Sequence, residues 1–185
     1  RLMARAIVFC AVGLSAALAG EKWNLYRERP FVGAYVHIPT LFNAKASLAD
    51  CKKAISDHLD RFKTAGLRVV MPYVTDTSGA TAYPSKIVKV HSFPGWDPVA
   101  DIVEEAAKQQ LVVWPVVCVI SSGHEKPGGI LVEHPDWALR DKDGRPMGYI
   151  SPYHPQARKW IISVLKEIVS RYEPEGILLD YLRYP

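Results

Sequence analysis

The stretch Gly176-Ile177-Leu178-Leu179-Asp180-Tyr181-Leu182-Arg183-Tyr184-Pro185 carries the most chemistry in this sequence. Three apolar residues lead into an acid, the pattern of a buried strand that holds a carboxylate rigidly at its end. Such a carboxylate can act as a nucleophile, or stabilise an oxocarbenium-like centre in glycoside cleavage. Asp180 is thus the candidate catalytic residue; the competing reading is that it pairs with Arg183 or caps a loop.

Flat side chains surround the places where a bound molecule would sit. Tyr73, Trp96, Trp114, Trp137, Tyr149, Tyr181 and Tyr184 offer stacking faces, and their O–H or N–H tips can hydrogen-bond. Trp114 falls in an apolar run and reads as core, and Trp137 follows Pro135-Asp136 and reads as a loop staple. Tyr73, Trp96 and Tyr181 are the favoured contacts, with His37 and Arg183 as polar additions. His37 and His124 could each bond a ligand hydroxyl or be a satisfied structural histidine. Gly128-Gly129 lacks the surroundings of a phosphate loop and reads as a turn. With neither CxxC nor HExxH, no metal site is signalled, and no cofactor is implied.

These residues need elements to position them. Apolar runs at 32–38, 67–73, 111–119 and 176–179 are nearly continuous, as expected for parallel strands covered on both faces. Three helical patterns separate them. The first opens at Ser47 with Asp50 three residues on, runs to Ala65 and stops at Gly66. The second opens at Asp97 with Pro98 in its first turn. The third runs from about Pro155 to Arg171. The order β-α-β-α-β-α-β predicts a parallel α/β arrangement. Helix-to-strand links are short, whereas strand-to-helix loops take about eight, about 22 and about 35 residues, longer than ordinary connections. All the long loops leave the C-terminal strand ends, where barrels and open α/β sheets place their sites.

Residues 1–19 read as a secretory signal. Arg1 and Arg5 precede a short apolar run, and Ala17-Leu18-Ala19 before Gly20 fits a cleavage site. A membrane anchor is the alternative, although the run is short for a span of about 20 residues. Residues 20–30 are a lead-in, and 31–185 form the domain. The expected location is secreted or periplasmic, with no membrane contact after cleavage. The net charge of +4 includes Arg1 and Arg5 and forms no basic stripe, which argues against nucleic acid. Cys51 and Cys118 could pair, but read more simply as buried thiols.

Several segments together resemble the glycosyl-hydrolase-like family 10 proteins, a group that includes divisome-associated peptidoglycan glycosidases of bacteria. They are Gly33-Ala34-Tyr35-Val36-His37, residues 59–67, Trp96-Asp97-Pro98 and Pro127-Gly128-Gly129-Ile130, followed by residues 134–144, residues 151–158 and the Asp180 segment. The resemblance implies a TIM-type (β/α)8 barrel acting on a glycan, with Asp180 as the acid after the fourth strand. The chain departs from many relatives in having Tyr181 where they carry a second Asp, and Ser151-Pro152 where Asp is common.

Because a whole barrel takes roughly 250 residues, 31–185 is expected to be an N-terminal half, truncated after its fourth strand. Glycoside hydrolysis normally uses two carboxyl groups. Asp76 and Glu125 lie in the long loops but read as solvated charge, so the partner is expected beyond Pro185 and the fragment alone inactive. Three readings follow: an exported glycoside hydrolase acting on a polysaccharide such as peptidoglycan; a non-catalytic glycan-binding barrel; or a complete α/β ligand-binding domain.

Overall fold

The computed structural model describes residues 32–43 and 45–184. The signal reading at 1–19 and the lead-in at 20–30 lie outside the described residues.

The first strand, β1 (Gly33–Val36), is followed by helix α1 (Leu48–Thr64), β2 (Val69–Pro72) and α2 (Pro98–Lys108). The apolar run at 111–119 was expected to make one strand. It makes two, β3 (Val112–Val113) and β4 (Val116–Cys118), because Trp114-Pro115 interrupts it and proline has no N–H to donate to a ladder. Helix α4 (Pro155–Tyr172) and β8 (Leu178–Asp180) close the described part; the elements between β4 and α4 are introduced below.

The strands pair in parallel, β1 with β2, β2 with β3, and β4 with β8. A further parallel bridge, Tyr73 to Val116, carries β2 over to β4. Each helix covers the sheet with one face: Cys51, Ile55 and Leu59 of α1, Val99, Ile102 and Ala106 of α2, and Ala157, Val164 and Ile168 of α4 are buried, whereas Leu48, which the periodicity of α1 places on the same stripe, is exposed. They meet Val36, Val70 and Val117 in one apolar core.

The ends of the helices follow local rules. Ser47 caps α1, its hydroxyl accepting from Asp50 N at 3.2 Å while bonded to the Asp50 carboxylate. Asp97 caps α2 by accepting from Ala100 N at 3.0 Å. The same carboxylate takes Arg171 at 2.8 Å and the Tyr172 hydroxyl at 2.9 Å, tying the start of α2 to the end of α4.

The third long loop, of which the sequence gives only the length, has structure of its own. It holds a small antiparallel sheet in the order β5-β7-β6, from β5 (Ser121–His124), β6 (Ala138–Arg140) and β7 (Pro146–Ile150), with a one-turn helix α3 (Ile130–Glu133) between β5 and β6. Gly148 lets β5 and β7 touch: a Cβ there would stand 2.4 Å from His124 N.

The second long loop is pinned to α4. Glu167 accepts from the Tyr83 hydroxyl at 3.1 Å, the Ser85 hydroxyl at 2.5 Å and Lys86 N at 2.6 Å. Tyr83 is buried, and desolvation together with the Glu167 charge pushes its phenol above the ordinary range, so it stays a donor. Glu167→Ala leaves that buried hydroxyl without its acceptor. The expected cost is about 2 kcal/mol, read as a lower urea midpoint at unchanged slope.

Candidate active site at the C-terminal strand ends

Asp180 is the last residue of β8, half-buried, and registered against Cys118 of β4. Its backbone is held by Val119 N, which donates to Asp180 O at 2.9 Å. Its side chain receives a donor on each oxygen. The Tyr73 hydroxyl donates to Oδ2 at 2.9 Å, and Tyr181 N donates to Oδ1 at 2.7 Å. Charge-assisted bonds of this kind fix both the direction of a carboxylate and its role as an acceptor.

Tyr73 follows β2 directly, and its ring stacks with Tyr35 of β1 and with His37 just after it. His37 stacks on it at 4.7 Å with planes 11° apart, and Tyr35 at 5.8 Å and 28°. Desolvation first, then the Asp180 hydrogen bond and charge, pushes the Tyr73 phenol above its ordinary value. The proton therefore stays on Tyr73. Beside this stack lies a cavity of about 130 Å³ lined by His37, Ile38, Pro39, Tyr73, Asp76, Ala82, Ser92 and Phe93.

On the other side of the carboxylate stands Tyr181, in the left-handed backbone region at φ 52°. That conformation costs a non-glycine residue on the order of 1 kcal/mol and is characteristic of functional turns. His124 of β5 is also left-handed, at φ 62°. The two rings meet edge to face at 5.5 Å, and the Tyr149 hydroxyl lies 3.1 Å from His124 Nδ1. The Arg183 guanidinium sits 5.0 Å from the Tyr181 ring centroid, a cation–π contact.

Of the residues singled out in the sequence, Tyr73, His37, Tyr181 and Arg183 thus gather around Asp180, either directly or through one ring. Trp96 does not. Its ring packs on Phe42 at 4.9 Å and Phe93 at 5.7 Å, and its N–H donates to Asp101 at 2.6 Å. Helix α2 starts just after it, so the indole is drawn onto the first turn of that helix; only Phe93 links it to the cavity. Asp76 is committed to its own turn, accepting from Ser78 N, the Ser78 hydroxyl and Ala80 N. Glu125 is exposed. Trp137 is buried and stacks on His134 at 4.0 Å, as a loop staple should.

Tyr35 is not among the sequence's site candidates, and the contact of His124 with Tyr181 is not legible there. Tyr35 carried a signal, since it lies two positions before His37 and so shares its strand face. The position of His124 depends on the β5–β7 pairing, which the sequence does not announce.

Residues 36–185 match the model of the family described as glycosyl hydrolase-like 10. The chain belongs to that family. Among its relatives, the glycosyl hydrolase DigH of Escherichia coli (strain K12) is 27% identical over 152 residues, covering 70% of this chain and 34% of DigH. The glycosyl hydrolase YngK of Bacillus subtilis (strain 168) is 26% identical over 154 residues, covering 75% of this chain and 29% of YngK. This glycosyl hydrolase-like 10 chain thus spans about a third of the length of the curated relatives it matches. Its fold is shared with α-L-fucosidase isoenzyme 2 from Paenibacillus thiaminolyticus, at a TM-score of 0.63 and 16% identity over 82% of this chain and 23% of the fucosidase. It is also shared with the maltogenic α-amylase AmyB from Thermotoga neapolitana, at 0.56 and 15% over 84% and 40%.

Cys118 shares this environment. It is buried, and its thiol is pushed up to about 12 by desolvation first and then by the charges of Asp180 and Asp76. Only the thiolate reacts with alkylating agents. Native protein at pH 8 is expected to leave Cys118 unmodified by iodoacetamide, as read by peptide mass, and to modify it fully after denaturation. The linkage has a definite sign: a raised folded value favours the folded state below the ordinary thiol range, and that contribution fades as pH climbs from about 9 towards 12.

Proposed function

We propose that this chain forms the acid-bearing half of an exported (β/α)8 barrel that hydrolyses glycosidic bonds in a polysaccharide such as the glycan strands of peptidoglycan. The observation that carries this reading is the Asp180 carboxylate, set at a strand's C-terminal end with a donor on each oxygen. In barrels that end is the catalytic face. Membership of a glycosyl hydrolase-like family supports glycan chemistry, and the exposed Tyr35 and Leu179 on strands β1 and β8 are what a sheet that continues around a barrel would present. The signal-like residues 1–19 support export.

In this reading Asp180 serves as an acceptor and a negative charge rather than as the proton donor. It would attack, or electrostatically stabilise, the oxocarbenium-like centre. Tyr73 holds the carboxylate in line, and His37, backed against Tyr73, faces the sugar. The second carboxyl group is assigned to the part of the full-length protein outside the matched third. Tyr181, in the place where many relatives have a second Asp, then acts through its ring and its backbone N–H.

Asp180→Asn in the full-length protein is expected to lower the release of reducing ends from polysaccharide at least a thousandfold, with an unchanged circular dichroism spectrum. Turnover near that of the wild type would remove Asp180 from the chemistry. Tyr73→Phe keeps the ring stack and deletes one charge-assisted hydrogen bond worth about 1.5–3 kcal/mol, so kcat is expected to drop roughly 10- to 100-fold. KM should stay within about threefold; a variant that loses KM instead would make Tyr73 a sugar contact.

A further inference from the structure

His124 has only one of its two ring nitrogens engaged. Nδ1 lies 3.1 Å from the Tyr149 hydroxyl, and Nε2 has no partner among the described residues. Tyr149 is buried, and its hydroxyl likewise has no second partner among them. A buried hydroxyl is costly unless it donates, and a phenol holds its proton at neutral pH. Tyr149 therefore donates to Nδ1. A neutral imidazole carries one proton, so Nδ1 as acceptor leaves that proton on Nε2. The pairing fixes His124 as a donor whose N–H is unspent.

The backbone holds that ring in place. His124 is left-handed at φ 62°, a conformation that glycine adopts freely and that costs other residues on the order of 1 kcal/mol. Gly123 precedes it at φ 116°, and Gly148 of β7 is registered against it. A Cβ on Gly123 would stand 2.6 Å from Gly128 N, and one on Gly148 would stand 2.5 Å from Gly123 C, so the chain passes itself here in close backbone contact. Glycine serves at both neighbouring positions, yet a histidine occupies the left-handed one. Its ring meets that of Tyr181 at 5.5 Å, and Tyr181 N is the donor on Asp180 Oδ1.

We propose that His124 is a substrate-binding residue: Tyr149 fixes its tautomer, and its Nε2–H donates to an oxygen of the sugar bound at Asp180. A hydroxyl, ring or carbonyl oxygen can accept that bond, whereas an ammonium group cannot. The inference rests on the glycan-acting reading of Asp180 and adds to it a neutral donor that orients the sugar beside the carboxylate.

The test separates the two nitrogens in the full-length protein. His124→Asn sets an amide oxygen near the place of Nδ1 and tolerates the left-handed backbone, so it keeps the acceptor for Tyr149 and deletes the Nε2 donor. His124→Gln reaches the place of Nε2 with an N–H and leaves Tyr149 without its acceptor. Retention on pelleted purified peptidoglycan, chitin and cellulose is measured at pH 8, with release of reducing ends followed in parallel. For whichever polymer the wild type retains, His124→Asn is expected to weaken binding about tenfold at an unchanged unfolding temperature, and His124→Gln less than about threefold at a lowered one. A role in packing alone predicts the opposite order. Equal losses in the two variants, or no loss in His124→Asn, overturn the proposal. So does a nitrogen-15 histidine spectrum in which the neutral His124 ring, identified by its absence from the His124→Gln spectrum, is protonated on Nδ1. A wild type that cleaves polymer while His124→Asn binds it undiminished removes this inference alone. A wild type that none of the three polymers retains removes it together with the hydrolase reading, and binding in the expected order without cleavage supports it and removes only the hydrolysis.

Discussion

Parallel pairing is the constraint from which the rest of this structure follows. Two parallel neighbours cannot be joined by a tight turn, so the chain must run back the length of the sheet between them, and it does so through a helix. Every strand-to-helix loop then leaves the same edge. The short returns, such as the one through Gly66, lie at the opposite edge, where little can be built. The long segments at 73–97 and 119–154 have room for structure of their own, and both use it. One is clamped to α4 by Glu167, and the other folds its own antiparallel sheet. The rim is therefore rigid on both sides of Asp180.

That rigidity bears on Asp180, whose proposed role depends on direction. Asp180 is held by its backbone through Val119, by its own neighbour's N–H, and by a phenol from the far end of β2. The phenol's ring is itself stacked with His37 and Tyr35. Each part would be weak alone. Together they hold the carboxylate at a fixed point on the rim, and in the proposed hydrolase reading that would suit stabilisation of positive charge developing on a ring carbon. Stiffness costs the chain something locally, since Tyr181 and His124 both sit in backbone conformations that non-glycine residues avoid.

Charged groups elsewhere serve the scaffold. Asp97 joins two helix ends through Arg171 and Tyr172, and Asp76 shapes its own turn. Carboxylates with several near donors already satisfied have little left for a substrate. Asp180 differs from them in taking a single donor on each oxygen.

The alternation of parallel strands with α1, α2 and α4, much of each helix's buried face, the caps at Ser47 and Asp97, and the acid at the end of the last strand were legible in the sequence. They depend on residues a few positions apart, and periodicity, capping and strand burial are local rules. The family resemblance was legible for the same reason, as an ordered set of short segments. The partners of Asp180 were not: Tyr73 is 107 positions away, and only the registers linking β1, β2, β4 and β8 bring it there. Nor was the small sheet of β5, β6 and β7, whose strands are too short and too mixed in Ser, Gly and His to show alternation. Trp96 looked available in the sequence and is drawn onto Asp101 in the fold. The chain's local chemistry settled what lies at the rim, and long-range packing alone decided which side chains meet there, because contact across strands depends on a register that no short stretch of sequence encodes.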